Sequence, residues 1–291
     1  VSTVSATYAD EICRPSDSAT GFIGGEGLEN LLAEARDNGR LVGILNGCEY
    51  DRPRARRPGW MRLLGMLEAQ LHDWQQRDPD NEAHMLARQR IAGFPKRRPL
   101  HVLTSIGRLV AQKATLLLLD AEKGESPLQA ISENLGRSAA IIILGSGEPV
   151  FERRLLEVAH RCPNVLFLNG YSELLSDPLY AAGDLFLMPS SFEPCGISQM
   201  LAMRSGQPCV VHGVGGLRDT VEHGNTGFVF DGGTSREQAD NFTATTLAAL
   251  EQRTADPDGW KTLCDHARAQ RFSWELSAKR TIRELYGQDD D

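Results

Sequence analysis

The sequence predicts an α/β fold organised as a doubly wound, parallel sheet of six strands. Three observations carry that expectation. Apolar runs recur at residues 102–106, 141–144, 165–168, 185–188, 209–211 and 228–230. Each run is nearly continuous rather than alternating, the pattern of strands buried on both faces. Helical-period segments lie between them at 116–134, 150–160, 173–182, 197–204 and 217–223. Alternation of this kind places helices on both sides of a Rossmann-like sheet. The region spans residues 99–271, an ordinary size for one domain.

Taken in order, residues 1–5 alternate like a strand and turn into a short helix by Ile12. No Met precedes Val1, so the chain is expected to begin inside a larger protein. The glycine cluster Gly24-Gly25-Glu26-Gly27 reads as a flexible connection rather than a phosphate loop. The helix at 28–36 places Leu28, Leu31, Leu32 and Ala35 on one face, at i, i+3, i+4 and i+7. Residues 41–45 are a short buried strand that ends in the turn Asn46-Gly47. Residues 1–46 are therefore expected to be the tail end of an N-terminal domain.

Residues 47–98 read as a hinge with linker helices. Arg52, Arg54, Arg56, Arg57 and Arg62 form a basic run, expected to be a solvated face rather than an anion site. Helices follow at 61–74, with Leu63, Leu64, Leu67 and Leu71 in helical register, and at 82–91. This stretch has the character of an insertion. Beyond the last strand come helices at 235–251 and 257–270. Residues 272–291 hold a final helix opened by Ser273 as N-cap.

Composition excludes several classes. A net charge of −8 argues against a general nucleic-acid binder. No apolar run approaches the ~20 residues of a membrane span, and no secretory pattern follows Val1. Neither nucleic acid nor membrane is expected as a partner. Six cysteines without repeated spacing indicate neither a disulfide framework nor a zinc site, and suit a reducing compartment. The seven histidines show no metal-type spacing, so no metal is expected.

The chemistry centres on Pro189-Ser190-Ser191-Phe192-Glu193-Pro194-Cys195-Gly196-Ile197-Ser198-Gln199. A strand, a proline-bounded turn with a carboxylate and a glycine at a helix mouth make a ligand site at the carboxyl end of a parallel sheet. The N–H groups of Gly196, Ile197 and Ser198 would point outward and suit phosphate or sugar oxygens. Glu193 can accept from sugar hydroxyls. Arg108 and Lys113 share the connection after the first strand of the sheet, where two cations can neutralise a diphosphate. Either alone also reads as a surface cation. Tyr171 ends the third strand and can stack on a base or stand half-buried, while Ser172 reads as an N-cap. Gly215 and Gly216 precede a helix and permit close approach to their backbone. Asp219 reads as a first-turn helix carboxylate. Cys195 has no general base nearby and is read as structural or sugar-adjacent.

These motifs resemble bacterial glycogen synthases and plant starch synthases, retaining glucosyltransferases of the GT-B type. The resemblance rests on Phe192 to Gly196, on Arg108-Leu109-Val110-Ala111-Gln112-Lys113, on Gly43-Ile44-Leu45-Asn46-Gly47 and on Gly215-Gly216-Leu217. It implies that residues 99–271 are the C-terminal, donor-binding domain of a GT-B enzyme. That enzyme would transfer glucose from ADP-glucose (or UDP-glucose) to the non-reducing end of an α-1,4-glucan, without a further cofactor. It also implies that Arg108 and Lys113 hold the donor phosphates, that Glu193 orients the sugar, that Asn46 lies near it and that Tyr171 faces adenine. The sequence departs from the family at His212, where Arg is usual, and at Val214, where Thr is usual. It departs again after Gly47, where Asp-Trp-Pro is usual. The family's Lys-Thr-Gly-Gly-Leu motif and catalytic His belong to an N-terminal domain and are not in this sequence. The fragment alone is thus expected to be nearly inactive. The implied location is the bacterial cytoplasm, or a plastid for a plant-type homologue.

Other readings remain open. Another GT-B glucosyltransferase would act on small acceptors. A non-catalytic nucleotide-sugar or glucan-binding module would have lost activity through His212 and Val214. A nicotinamide oxidoreductase is disfavoured, because Gly107-Arg108 stands where Gly-x-Gly-x-x-Gly would follow the first strand of the sheet.

Overall fold

The computed structural model describes residues 1–18, 20–50, 56–120 and 124–287. The chain begins with β1 (Ser2–Thr3), α1 (Ala6–Glu11), α2 (Glu29–Asp37) and β2 (Val42–Gly43). Next come α3 (Trp60–Arg77), α4 (Glu82–Gly93), β3 (His101–Ile106), α5 (Ala111–Leu118) and α6 (Pro127–Leu135). The middle holds β4 (Ala139–Gly145), α7 (Pro149–Arg161), β5 (Val165–Asn169), α8 (Glu173–Ala182) and β6 (Leu185–Met188). The rest is α9 (Ser198–Arg204), β7 (Cys209–His212), α10 (Gly215–Thr220), β8 (Gly227–Phe230), α11 (Ser235–Ala255), α12 (Pro257–Ala269) and α13 (Trp274–Tyr286).

The six expected strands form one sheet in the order β5-β4-β3-β6-β7-β8, and every pairing is parallel. Successive residues point to opposite faces. Leu103, Ile141, Ile143, Phe167, Leu185, Leu187 and Val210 pack under α5, α6, α7 and α11. Val102, Ala140, Ile142, Leu144, Leu166 and Leu168 pack under α3, α4 and α8. Phe186, Met188, Cys209 and Val211 continue that second face under α9 and α10. The order of strands reverses around β3 and β6, and ligands bind outside the carboxyl ends of the strands at such a point.

Two expectations change. The single helix expected over 116–134 is two, because α5 ends at Leu118 and α6 restarts at Pro127 behind the N-cap Ser126. The linker helices α3 and α4 are a full cover layer of the large sheet, with Leu63, Leu67 and Leu71 wholly buried. Of the basic run, Arg56, Arg57 and Arg62 are exposed as expected, and Arg52 and Arg54 lie outside the described residues. Arg57 also binds Asp184 at 2.7 Å. Asp184 is only 4% exposed and also takes Arg98 at 2.7 Å, Arg253 at 3.1 Å and the Val102 N–H at 2.8 Å. This carboxylate at the mouth of β6 ties the linker, the start of β3 and α11 to one point.

The small N-terminal unit is a parallel β1–β2 pair with α1 and α2. Leu32 and Ala35 touch the cluster of Ala9, Ile12 and Leu41. Leu28 and Leu31, expected on the same helical face, are 57% and 66% exposed. Two strands of chain join this unit to the large sheet, and they run side by side. Cys48 N–H donates to Phe272 O at 2.7 Å, and Phe272 N–H donates to the Tyr50 hydroxyl at 3.1 Å. A Cβ on Gly47 would lie 2.2 Å from Trp274 N. Ser273 caps α13 as expected, and Ser277 and Arg280 on α13 donate to Leu45 O and Gly43 O.

Candidate active site

A cleft of about 830 Å³ opens at the carboxyl ends of β3, β4 and β5. Arg108 and Lys113, Gly145 and Ser146, and Gly170 and Tyr171 come from those strand ends. Ile197 and Ser198 enter from the mouth of α9, and Gly47, Cys48 and Glu49 from the hinge. Backbone segments meet closely here. A Cβ on Gly145 would lie 2.2 Å from Gly107 O, and one on Gly147 would lie 2.3 Å from Leu109 O. The run Gly145-Ser146-Gly147 after an apolar strand carried that signal, and sequence reasoning passed over it.

One of the two expected cations meets the expected carboxylate. Lys113 Nζ lies 3.0 Å from Glu193 Oε2, and both side chains are mostly buried. Ser190 Oγ donates to the same oxygen at 3.3 Å. Arg108 is exposed on the cleft wall and forms no ion pair among the described residues. A buried carboxylate held by one ammonium and one hydroxyl is fixed in direction, which suits an acceptor for defined hydroxyl groups. The amides of Gly196, Ile197 and Ser198 donate to no protein group among the described residues. Gly196 adopts φ +76°, which its lack of a Cβ allows. The Gln199 amide binds Cys195 O and Gly196 O at 3.1 Å and Thr220 Oγ1 at 3.2 Å, wiring this turn in place.

The remaining expected residues divide. Tyr171 stands in the cleft, 74% exposed, with its hydroxyl on Glu173. Ser172 is not a side-chain cap; its hydroxyl donates to Gln70 Oε1 at 2.7 Å. Asn46 directly precedes Gly47 of the cleft edge and does not itself line the cleft. Cys195 is buried with Cys48 and Met200, and burial pushes its thiol up to about 11, which disfavours the reactive thiolate. Gly215 and Gly216 are set back from the cleft. A Cβ on either would lie 2.2 Å from Glu193 O or 2.3 Å from Cys195 O. Gly215 N–H donates to Glu11 and Gly216 N–H to Glu193 O. The two glycines therefore shape the Glu193 turn, and their amides are already engaged. Asp219 lies near the end of α10, not in its first turn, and accepts from Thr7 N–H and Oγ1. His212 is buried, stacked on Phe230, with Nδ1 3.0 Å from Ser190 O; burial lowers its pKa. Val214 packs in the apolar layer. Among the described residues no group of three or more His, Cys, Asp or Glu could hold a metal ion.

With this geometry established, comparison with known proteins is decisive. The family model described as "Glycosyl transferases group 1" matches residues 101–248, half of the chain and most of the large sheet. The chain belongs to the group 1 glycosyl transferases. Within that family it is 35% identical over 286 residues to a glycogen synthase of Streptococcus sanguinis, covering 96% of this chain and 54% of the relative. It is 37% identical over 312 residues to a glycogen synthase of Thioalkalivibrio sulfidiphilus, covering 98% and 55%. The catalytic domain of starch synthase IV from Arabidopsis thaliana, solved with ADP and acarbose, superposes with a TM-score of 0.69. It is 28% identical, and the match covers 99% of this chain and 55% of that one. Anabaena HepE, at 20% identity and TM-score 0.54, shares the fold. This group 1 glycosyl transferase thus carries the Rossmann-like domain of the GT-B architecture. The chain spans about half the length of the curated relatives it matches.

Proposed function

We propose that this chain is the donor-binding half of a glycogen or starch synthase. It would bind ADP-glucose, with UDP-glucose as the lesser alternative, and present the glucosyl group to the end of an α-1,4-glucan. The observation that carries this reading is the Lys113–Glu193 pair at 3.0 Å beside the uncommitted Arg108. Arg108 and Lys113 neutralise the diphosphate, whose charge grows as the glycosidic bond breaks. Lys113 then shares its ammonium between Glu193 and phosphate. Glu193 accepts from glucose hydroxyls, and the free amides at the mouth of α9 hold sugar and phosphate oxygens. Tyr171 faces the base, as the ADP-bound starch synthase IV relative makes reasonable. No further cofactor enters this scheme.

The acceptor-binding half would come from the rest of the parent protein, seated on the face that bears Leu28 and Leu31. Calorimetry with ADP on the wild-type chain, Arg108→Met and Lys113→Met tests the donor reading. Each substitution should weaken ADP by about tenfold or more, a charge-assisted hydrogen bond to phosphate being at stake. Unchanged affinity in both variants would refute the phosphate assignment. The chain alone should transfer little glucose to glycogen, and robust transfer would overturn its description as a half. His212 favours a second reading, since the position where the family carries Arg is here a buried ring turned away from solvent. In that reading the parent protein binds ADP but transfers nothing, and a transfer assay on the full-length protein separates the two.

A further inference from the structure

The two helices ahead of the large sheet grip the loop that carries Tyr171. His84 on α4 is buried, and its Nε2 lies 2.7 Å from Asn169 O. A carbonyl oxygen only accepts, so Nε2 carries the hydrogen. Among the described residues that is the ring's one hydrogen bond, since Nδ1 is buried without a partner there. Trp74 on α3 stacks on the His84 ring at 5.5 Å and 27°. The same indole presses on the next residue of the loop, where a Cβ on Gly170 would come within 2.8 Å of it. Gln70, about one turn earlier on α3, accepts from Ser172 at 2.7 Å. Asn169, Gly170 and Ser172 are therefore each held from one side. Tyr171 stands between them, exposed and directed to the cleft, with Glu173 as its hydrogen-bond partner.

We propose that His84, Trp74 and Gln70 form a bracket that presets the Tyr171 loop for the base of the nucleotide. His84 is then a positioning residue for donor recognition, acting through Asn169 without touching the ligand. The proposal rests on the reading that Tyr171 faces the base. A loop fixed beforehand does not have to be ordered when the ligand arrives, so the bracket contributes to affinity for ligands that carry a base and to no others.

Calorimetry on the 291-residue chain, with ADP and inorganic pyrophosphate as paired probes, tests this. His84→Leu keeps bulk and removes the donor. It should weaken ADP about tenfold and leave pyrophosphate unchanged. His84→Gln restores an N–H donor and should recover most of the loss. Gly170→Ala pushes the loop off Trp74 without altering His84, and should show the same selective loss even if His84→Leu fails to fold. In a Tyr171→Ala background, His84→Leu should cost nothing more. Equal losses for both probes, or losses that multiply with Tyr171→Ala, would overturn the bracket in favour of general structural damage. If Tyr171→Ala weakens ADP while His84→Leu and Gly170→Ala do not, the bracket alone falls. If Tyr171→Ala leaves ADP unaffected, or wild type binds ADP no more tightly than pyrophosphate, the base-contact reading falls and takes the bracket with it.

Discussion

Helix α2 and its N-cap Leu28 present an apolar face, and none of its nine residues is buried; α9 has seven residues and buries five of them. The contrast extends to the units they belong to. The large sheet has six strands with helices on both faces, so the apolar side chains of its strands meet partners within the chain. The small unit has two strands of two residues each, fewer than a sheet needs to stand alone. Periodicity in sequence creates an apolar face, and burial requires something opposite it. The large unit contains its own counterpart, and the small one leans on its neighbour through α1 and the paired crossings.

The sharpest way to test this contrast is to remove a large core side chain from one unit. Phe186 at the centre of the sheet is wholly buried, and Phe186→Ala should cost about 3–5 kcal/mol in urea unfolding. A loss below about 1 kcal/mol would mean that the sheet is not the stabilising unit.

A smaller effect is expected where the two units meet. Glu11 on α1 accepts from Gly215 N–H at 2.9 Å in a buried position. Burial raises its pKa above the ordinary carboxylate value of 4.5, against a lowering by the Gly215 hydrogen bond. A raised folded-state value means that its favourable contribution is complete below about 4.5 and is lost as pH climbs through the folded value. Glu11→Gln keeps an acceptor for Gly215 and removes the charge. It should be more stable than wild type at pH 7.5, and the gap should close on acidification to about pH 4. Urea midpoints at the two pH values measure this, and a gap that does not change with pH would show that the buried carboxylate is not strained.

The smallest effect belongs to the uncovered face. Leu31→Ser should change the stability of this chain by less than about 0.5 kcal/mol, in contrast to Phe186→Ala. A loss of about 2 kcal/mol in the same unfolding experiment would reveal a partner for that face.

Local pattern made the large sheet legible. All six strands lie where the apolar runs fall, because a strand buried on both faces declares itself residue by residue. The split between α5 and α6 was also readable, in Ser126-Pro127, but continuous apolar spacing on either side outweighed it. The site was legible in part: Arg108 and Lys113 follow β3 and Glu193 follows β6, each marked by its own local motif, and the fold brings Lys113 and Glu193 to 3.0 Å. It was not legible where distant partners carry no such motif. Nothing local marks Asp184 as the meeting point of Arg57, Arg98 and Arg253. Ser172 resembled a cap because its true partner, Gln70, lies 102 residues away. The same holds for Gly215 and Gly216, whose close neighbours are backbone atoms of the Glu193 turn rather than a ligand.

The paired crossings at Cys48 and Phe272 limit how the molecule can bend. A body tethered by one thread swivels in any direction, whereas one tethered by two threads stitched together behaves like a door on its pins. Swinging about the line between them would leave the stitches whole but break the bonds of Thr7 to Asp219 and of Gly215 to Glu11; sliding or corkscrewing would also tear the bond from Cys48 N–H to Phe272 O and drive Gly47 into Trp274. Because Gly47, Cys48 and Trp274 also border the cleft, the stitched crossing and the α1 contacts together fix that edge of its mouth.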